Sequence, residues 1–429
     1  MQGRETDKNT NIPICLPAGI WRPSYTKRRR NRPRELRTFQ VVVRYRSNGR
    51  TEQQMAQLYG SRYGKADLLA HVGDISQVAR IKPYRLVEGL EDGVLALDVT
   101  TGSGLDFTVL PGRGMDISSA SYNGRSLAWR SATTDTHAAF FDHEGEGGRG
   151  WLRGFYGGLV VTCGLTWAGA NATENGQSYG LHGRIGNLPA TNVSWDGAWE
   201  GDDYIMTVRG KMRQATVFGE NLQLTRTITC RLGEKRLFLH DVVENLGAHR
   251  TEHMMLYHIN IGFPIVNDNA RLIAPTLSAT PRDAEAVKGQ DRFTRFQAPE
   301  AGFNEQVYFH EFARAEDGKV TTAIVDETAP SADGGAPGIG VYCTYSPDEL
   351  PRFIEWKMMG SGTYVVGMEP ANCMVMGRPH DRAEGTLQFL EPSETREYHV
   401  EIGVLAGPEE IAAQERSCRS AVTSRIPGA

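Results

Sequence analysis

The sequence has no apolar run long enough to cross a bilayer. Its longest, such as Gly157–Gly164, fall far short of the roughly 20 residues a spanning helix needs. The N-terminus lacks the apolar core of a secretory signal, so export is not expected. Cysteine is sparse: six in 429 residues, at positions 15, 163, 230, 343, 373 and 418, with no CxxC pair. That spacing excludes a disulfide framework and a zinc ribbon, and reduced thiols in a cytoplasmic protein are expected. HxH, HExxH and Cys/His clusters are missing, so no metal is expected. Pro111-Gly-Arg-Gly-Met-Asp-Ile117 has no GKS or GKT after it and is no phosphate-cradling loop.

Charge is plentiful but unevenly placed. Arg22 to Arg50 carries eleven basic residues and one acid, about +10, whereas the whole chain is −4, leaving an acidic remainder. Clustered arginine attracts phosphate, yet this segment lacks apolar periodicity. Residues 1–54 therefore read as a disordered basic extension, or as sequence upstream of a start at Met55, and neither a nucleic-acid nor a membrane partner is expected. Residues 55–429 read as the folded domain. Met55–Lys65 suggests a short helix or a structured lead-in, Asp67–Val78 a second short helix, and Pro408–Arg419 a later one. Between them period-two alternation and turn residues dominate. Strands are predicted at Ala96–Thr100, Leu105–Leu110, 204–210, Leu222–Cys230, Arg236–Glu244, Thr321–Val325, Gly340–Tyr345, Thr363–Met368 and Tyr398–Val404. With 48 glycines and so many short strands, the chain is all-β, and a single open sheet of that size would curl or split. A large antiparallel β-sandwich follows.

Three segments carry chemistry. His182 stands between glycines in Tyr-Gly-Leu-His-Gly-Arg (179–184), where glycine would let a ligand approach the backbone. His258 lies in the apolar run Leu-Tyr-His-Ile-Asn-Ile-Gly-Phe-Pro (256–264), beside Asn260; His253 has the opposite strand parity and should face the other side. Glu369 ends the strand before Pro370, which should stop the ladder. A carboxylate buried there serves either as a general base or in a structural ion pair. Imidazole and carboxylate together can take and give protons near neutral pH. In Gly150-Trp-Leu-Arg-Gly-Phe-Tyr-Gly-Gly (150–158), aromatics and Arg153 suit a sugar cleft, with a glycine-rich edge around core aromatics as the alternative. Arg113 is read either as a sugar contact or as a local partner of Asp116 in a turn. His240, His310, His380 and His399 read as solvated or turn positions.

Leu-His-Gly, then a strand histidine before Asn-Ile-Gly-Phe, then Met-Glu-Pro, resembles the order of catalytic elements in aldose 1-epimerases (galactose mutarotases). The segments Pro111–Ile117, Gly157–Gly164, Gly180–Arg184, Leu256–Pro264, Trp356-Lys357 and Gly367–Asn372 are similar to a bacterial branch of that superfamily, DUF4432, over roughly Gly60 to Leu405. The resemblance implies a galactose mutarotase-like supersandwich without cofactor, acting on a monosaccharide or sugar derivative as monomer or homodimer. It implies His258 as the acid on the ring oxygen, Glu369 as the base at the anomeric hydroxyl, and His182 as an orienting group. Arg153 and Asp283 are the candidates for the substrate-binding arginine and aspartate; Arg184, Asn260, Trp356 and Arg113 complete the candidate site. Two other readings stay open: a lyase or epimerase on an acidic sugar held by Arg113, Arg153 and Arg184, and a non-catalytic carbohydrate-binding protein.

Overall fold

Asn221–Arg231 and Arg236–Asn245 bury every second residue along their whole length, the signature of strands with one face on a core and one in water. They belong to an eight-stranded sheet in the order Thr191–Glu200, Asp203–Ala215, Asn221–Arg231, Arg236–Asn245, Thr395–Ala406, Ile339–Tyr345, Val320–Asp326, Arg271–Ile273. Facing it is a second sheet: Thr276–Pro281, Gln306–Phe312, Arg352–Gly360, Thr363–Ala371 and Thr251–Gly262, with Val161–Leu165 and Gln388–Leu390 paired to the last. A five-stranded antiparallel sheet runs from Arg80–Arg85 to Arg125–Ser126. This computed structural model describes residues 55–331 and 335–424, and the proposed extension 1–54 lies outside the described residues. The chain is an antiparallel β-sandwich, as its alternation predicts. Among the described residues no helix is long and apolar enough to cross a membrane.

The predicted strands all form, Leu105–Leu110 with the expected bounds and the others extended by one to a few residues. At the N-terminus the helical alternative for Met55–Lys65 is corrected and the second helix is shortened. Met55–Lys65 contains a hairpin, Ala56–Leu58 with Ser61–Tyr63, because Tyr59 and Gly60 both take positive φ (51° and 78°) and turn the chain. Asp67–Val78 splits into a helix at Lys65–His71 and a 3₁₀ turn at Ile75–Gln77, whose start Asp74 caps by accepting from Ser76 N. The late helix forms and runs longer than expected, Pro408–Thr423.

Strand Thr251–Gly262 is buried on both faces, with Glu252 alone half-exposed. Met255, Tyr257, Ile259 and Ile261 point between the sheets into the main core, while Met254 and Leu256 join a second apolar cluster with Trp151, Phe155 and Ile354. As its parity requires, His253 faces the first of these sides, bonded to Tyr398 Oη (2.7 Å).

At the centre of the sandwich lies a buried ion network. The Arg226 guanidinium, wholly out of solvent, donates to Asp241 from Nε (2.9 Å) and Nη2 (2.6 Å), to Asp116 from Nη1 (2.7 Å) and to Thr162 Oγ1 (2.8 Å). Thr162 donates in turn to Asp116 from N and Oγ1, and Tyr257 Oη to Asp241. Asp116 therefore pairs with Arg226, not with Arg113 in a local turn. Removing the cation would strand two buried carboxylates. Arg226→Met should lower unfolding free energy by about 3–5 kcal/mol; an unchanged urea midpoint would contradict that role.

Candidate active site

The histidine strand Thr251–Gly262 and the glutamate strand Thr363–Ala371 are antiparallel neighbours, with Ile259 opposite Met368 and Leu256 opposite Ala371. Counting one residue from the first pair puts His258 opposite Glu369, so both side chains stand on the same face. The ladder skips that position and the next, because Pro370 has no N–H to give. Pro370 does not end the strand, however: it stays paired with Phe353 on the other side, and the strand runs on to Ala371. His258 Nε2 and Glu369 Oε1 are 3.2 Å apart, and both side chains are almost wholly buried. Gly367, two residues along the same face, leaves the space this requires, since a Cβ there would lie 2.7 Å from Glu369 Oε1.

His182 reaches the same place from a turn. Its φ is +58°, and its backbone is pinned by His182 N donating to Gly169 O and Gly164 N donating to His182 O. The flanking glycines serve the backbone rather than a ligand: a Cβ on Gly183 would lie 2.2 Å from Trp167 O, and one on Gly180 2.2 Å from His143 O. The His182 ring lies 4.6 Å from Trp151 and 5.6 Å from His258. Trp151 stacks on Phe155 at 4.2 Å, and Trp356 meets the His258 ring edge-on at 5.2 Å.

His182, His258, Trp356 and Glu369 thus line one cavity of about 550 Å³, together with Trp129, Phe155, Arg282 and Glu305. Burial pushes the Glu369 carboxyl well above its ordinary range, with the nearby Glu305 charge adding to it. Burial and then His182 push the His258 imidazole well below its own, and burial takes His182 down to about 4. Both shifts favour the uncharged forms, a protonated Glu369 beside a neutral His258. Among the described residues His258 Nδ1 and His182 Nδ1 are buried without a hydrogen-bond partner, and Glu369 Oε1, although 3.2 Å from His258 Nε2, makes no hydrogen bond of good geometry. Such atoms are costly unless something polar meets them.

Five sequence candidates do not reach the cavity. Arg153 is exposed and paired with Glu146 (2.6 Å), and Arg184 is paired with Glu144 at the surface. The buried Arg113 gives its donors to the carbonyls of Gly186, Thr136 and Gly154, holding three loops together. Asn260 donates to Gly158 O and His258 O, bracing the histidine strand. Asp283 caps a short helix, accepting from Glu285 N and Ala286 N. Its neighbour Arg282 is the residue that enters the cavity. Arg282 Nη2 donates to Glu305 Oε1 (2.9 Å) and Nε to Asp283 Oδ2 (2.8 Å), and Trp356 Nε1 donates to Glu305 Oε2 (2.8 Å). Neither Arg282 nor Glu305 sits in a distinctive motif; the only sequence hint was that a cavity Trp356 needs an acceptor for its indole N–H. Of the remaining histidines, His310 departs from the expected solvated or turn position, being buried against Glu355 (3.0 Å), whereas His240 and His399 take outward-facing strand positions.

The fold and this cavity place the chain among galactose mutarotase-like β-sandwiches. It matches DUF4432, described as a domain of unknown function, over residues 91–404, and it belongs to that family. Its structure is similar to that of a Klebsiella pneumoniae protein provisionally named an aldose 1-epimerase (27% identity, 80% of this chain and 87% of that one, TM-score 0.75). It also resembles a galactose mutarotase-like protein of Clostridium acetobutylicum (15% identity, 77% and 99%, TM-score 0.51) and a protein of Synechocystis sp. PCC 6803 (16% identity, 75% and 100%, TM-score 0.50); these two likenesses concern the fold alone. No curated protein matches its sequence.

A raised Glu369 means that the folded chain holds this proton more tightly than the unfolded chain, so stability is lost as pH rises past the ordinary value of 4.5. Glu369→Gln should therefore melt higher than the parent, by a margin that widens from pH 4.5 upward. A margin constant across pH would argue against a protonated buried acid.

Proposed function

We propose that residues 55–429 act as a cytoplasmic, cofactor-free isomerase of the aldose 1-epimerase type, interconverting the anomers of an uncharged monosaccharide. The observation that carries this reading is the 3.2 Å pair of His258 and Glu369 facing one cavity. The hydroxyl oxygen and ring oxygen of a cyclic sugar share the anomeric carbon, so an acid and a base acting on both must be neighbours. An ion pair of imidazolium and carboxylate holds the same number of protons as the uncharged pair. Sugar hydroxyls meeting the orphaned atoms would favour the charged form by replacing lost solvation.

In that form Glu369 takes the O1 proton as C1–O1 becomes a carbonyl. The bond from C1 to the ring oxygen breaks, and His258 gives that oxygen its proton. Rotation about C1–C2 presents the other carbonyl face, and the reverse transfers close the ring and restore both groups. His182 would hold a hydroxyl through Nδ1, and Trp356, Trp129 and Phe155 offer faces for the C–H side of the ring. The cavity volume is in the range of small-ligand sites.

The acidic-sugar reading loses support because Arg113, Arg153 and Arg184 are all absent from the cavity lining. Arg282, the one arginine among the described residues of that lining, is already paired with Glu305 and Asp283. A carboxylate or phosphate would have to break those pairs.

Anomer exchange measured by NMR on a panel of neutral aldoses should be accelerated by the parent protein, and slowed about 10²–10⁴-fold by Glu369→Gln or His258→Gln. Full exchange in Glu369→Gln would sink the assignment; ligand-induced thermal stabilisation without exchange would favour a binding protein. Gly367→Ala should displace the carboxyl and cost about 10²-fold, while Arg153→Ala should leave the rate unchanged. A normal rate in Gly367→Ala would show that the carboxyl tolerates displacement.

A further inference from the structure

We propose a second site, on the solvent face of the eight-stranded sheet, that binds a divalent transition-metal ion of the zinc class through His240, Glu397 and His399. Register brings these residues together. Strands Arg236–Asn245 and Thr395–Ala406 are antiparallel neighbours with His240 directly opposite His399. Arg236–Asn245 alternates along its whole length and Thr395–Ala406 does so from Glu397 to Ile402, and residues 240, 397 and 399 fall on the outward positions. Glu397 and His399 are two apart and so share a face. A ligand-type atom from each lies within 4.8 Å of the other two. The imidazoles are parallel, 4.5 Å apart, and His240 Nε2 is 2.9 Å from Glu397 Oε2.

A second carboxylate sets up His399. Glu349 accepts from the His399 backbone N through Oε2 (2.7 Å) and meets His399 Nδ1 through Oε1 (2.9 Å). Carboxylates in this position behind a histidine fix its ring and tautomer in metal sites. A carboxylate there favours the tautomer with its proton on Nδ1, which makes Nε2 the ligand nitrogen of the proposed site. Two imidazoles and a carboxylate suit zinc-class ions, whereas magnesium and calcium want oxygen alone. Tetrahedral bonds of about 2.0–2.1 Å require donors about 3.3 Å apart. Side-chain rotation can supply that contraction, since the Glu397 and His399 side chains are 56% and 34% exposed. The fourth position would be left for water. Because these strands are about 150 residues apart in sequence, a bound ion would tie together two distant parts of the chain and stabilise only the folded form.

The test uses the full chain, stripped with chelator and titrated with Co²⁺ followed by visible absorption, and with Zn²⁺ followed by calorimetry and melting. The expected result is one equivalent bound, ligand-field bands from nitrogen–oxygen coordination, and a higher melting temperature with Zn²⁺. His240→Gln and His399→Gln should each weaken binding at least tenfold, and Glu349→Gln about 10–100-fold. Glu397→Gln, at an exposed position, provides the same readout should a histidine variant fail to fold. Absence of saturable one-to-one binding, or undiminished binding in these variants, overturns the site.

Discussion

The Arg226 network is the constraint on which the rest of the molecule depends. One guanidinium joins Asp241 of its own sheet to Asp116 of the five-stranded sheet, and Thr162 and Tyr257 bring in the histidine strand and the strand paired with it. Each charge is buried, so each is tolerable only while the others keep their geometry. Tyr257 precedes His258, and Thr162 lies on the strand that pairs with the histidine strand. The network therefore anchors the histidine strand from behind while His258 faces the cavity in front.

The acid and base are kept close and dry by backbone features more than by direct bonds. Continuous register sets His258 opposite Glu369, Pro370 opens the ladder beside them, and Gly367 leaves room for the carboxyl. Aromatic rings around them exclude water and push both groups toward their uncharged forms. The result is a pair with unmet hydrogen-bonding capacity, an arrangement that favours a ligand rich in hydroxyls. In its wall the Arg282 guanidinium is already engaged, by Glu305 of the same wall and by Asp283 outside it.

Local pattern had different success with different residues. Strands such as Asn221–Arg231 were readable because one face is wet, and alternation reports that directly. The histidine strand, buried on both sides, offers no alternation, yet parity still separated His253 from His258. Arginines were misassigned because sequence records the presence of a cation and says nothing of its partner. Arg153 met Glu146, Arg113 met three carbonyls, and Asp283 was spent on a helix cap while Arg282 beside it turned inward. Glycines around His182 give room to neighbouring backbone rather than to a ligand, a distinction local sequence does not carry.

Residue order alone determined that this chain is a turn-dense β protein, that Glu369 and His258 lie on apolar strands, and that it resembles the family to which it belongs. These properties are local or additive: a period of two, a run of apolar residues, a short motif. Tertiary structure decided which strands are neighbours and in what register. That choice placed His258 against Glu369 across 111 positions of chain, and His240 against His399 across 159. Pairings at such separations arise from the packing of whole sheets around buried charge and core, and no short stretch of sequence encodes them.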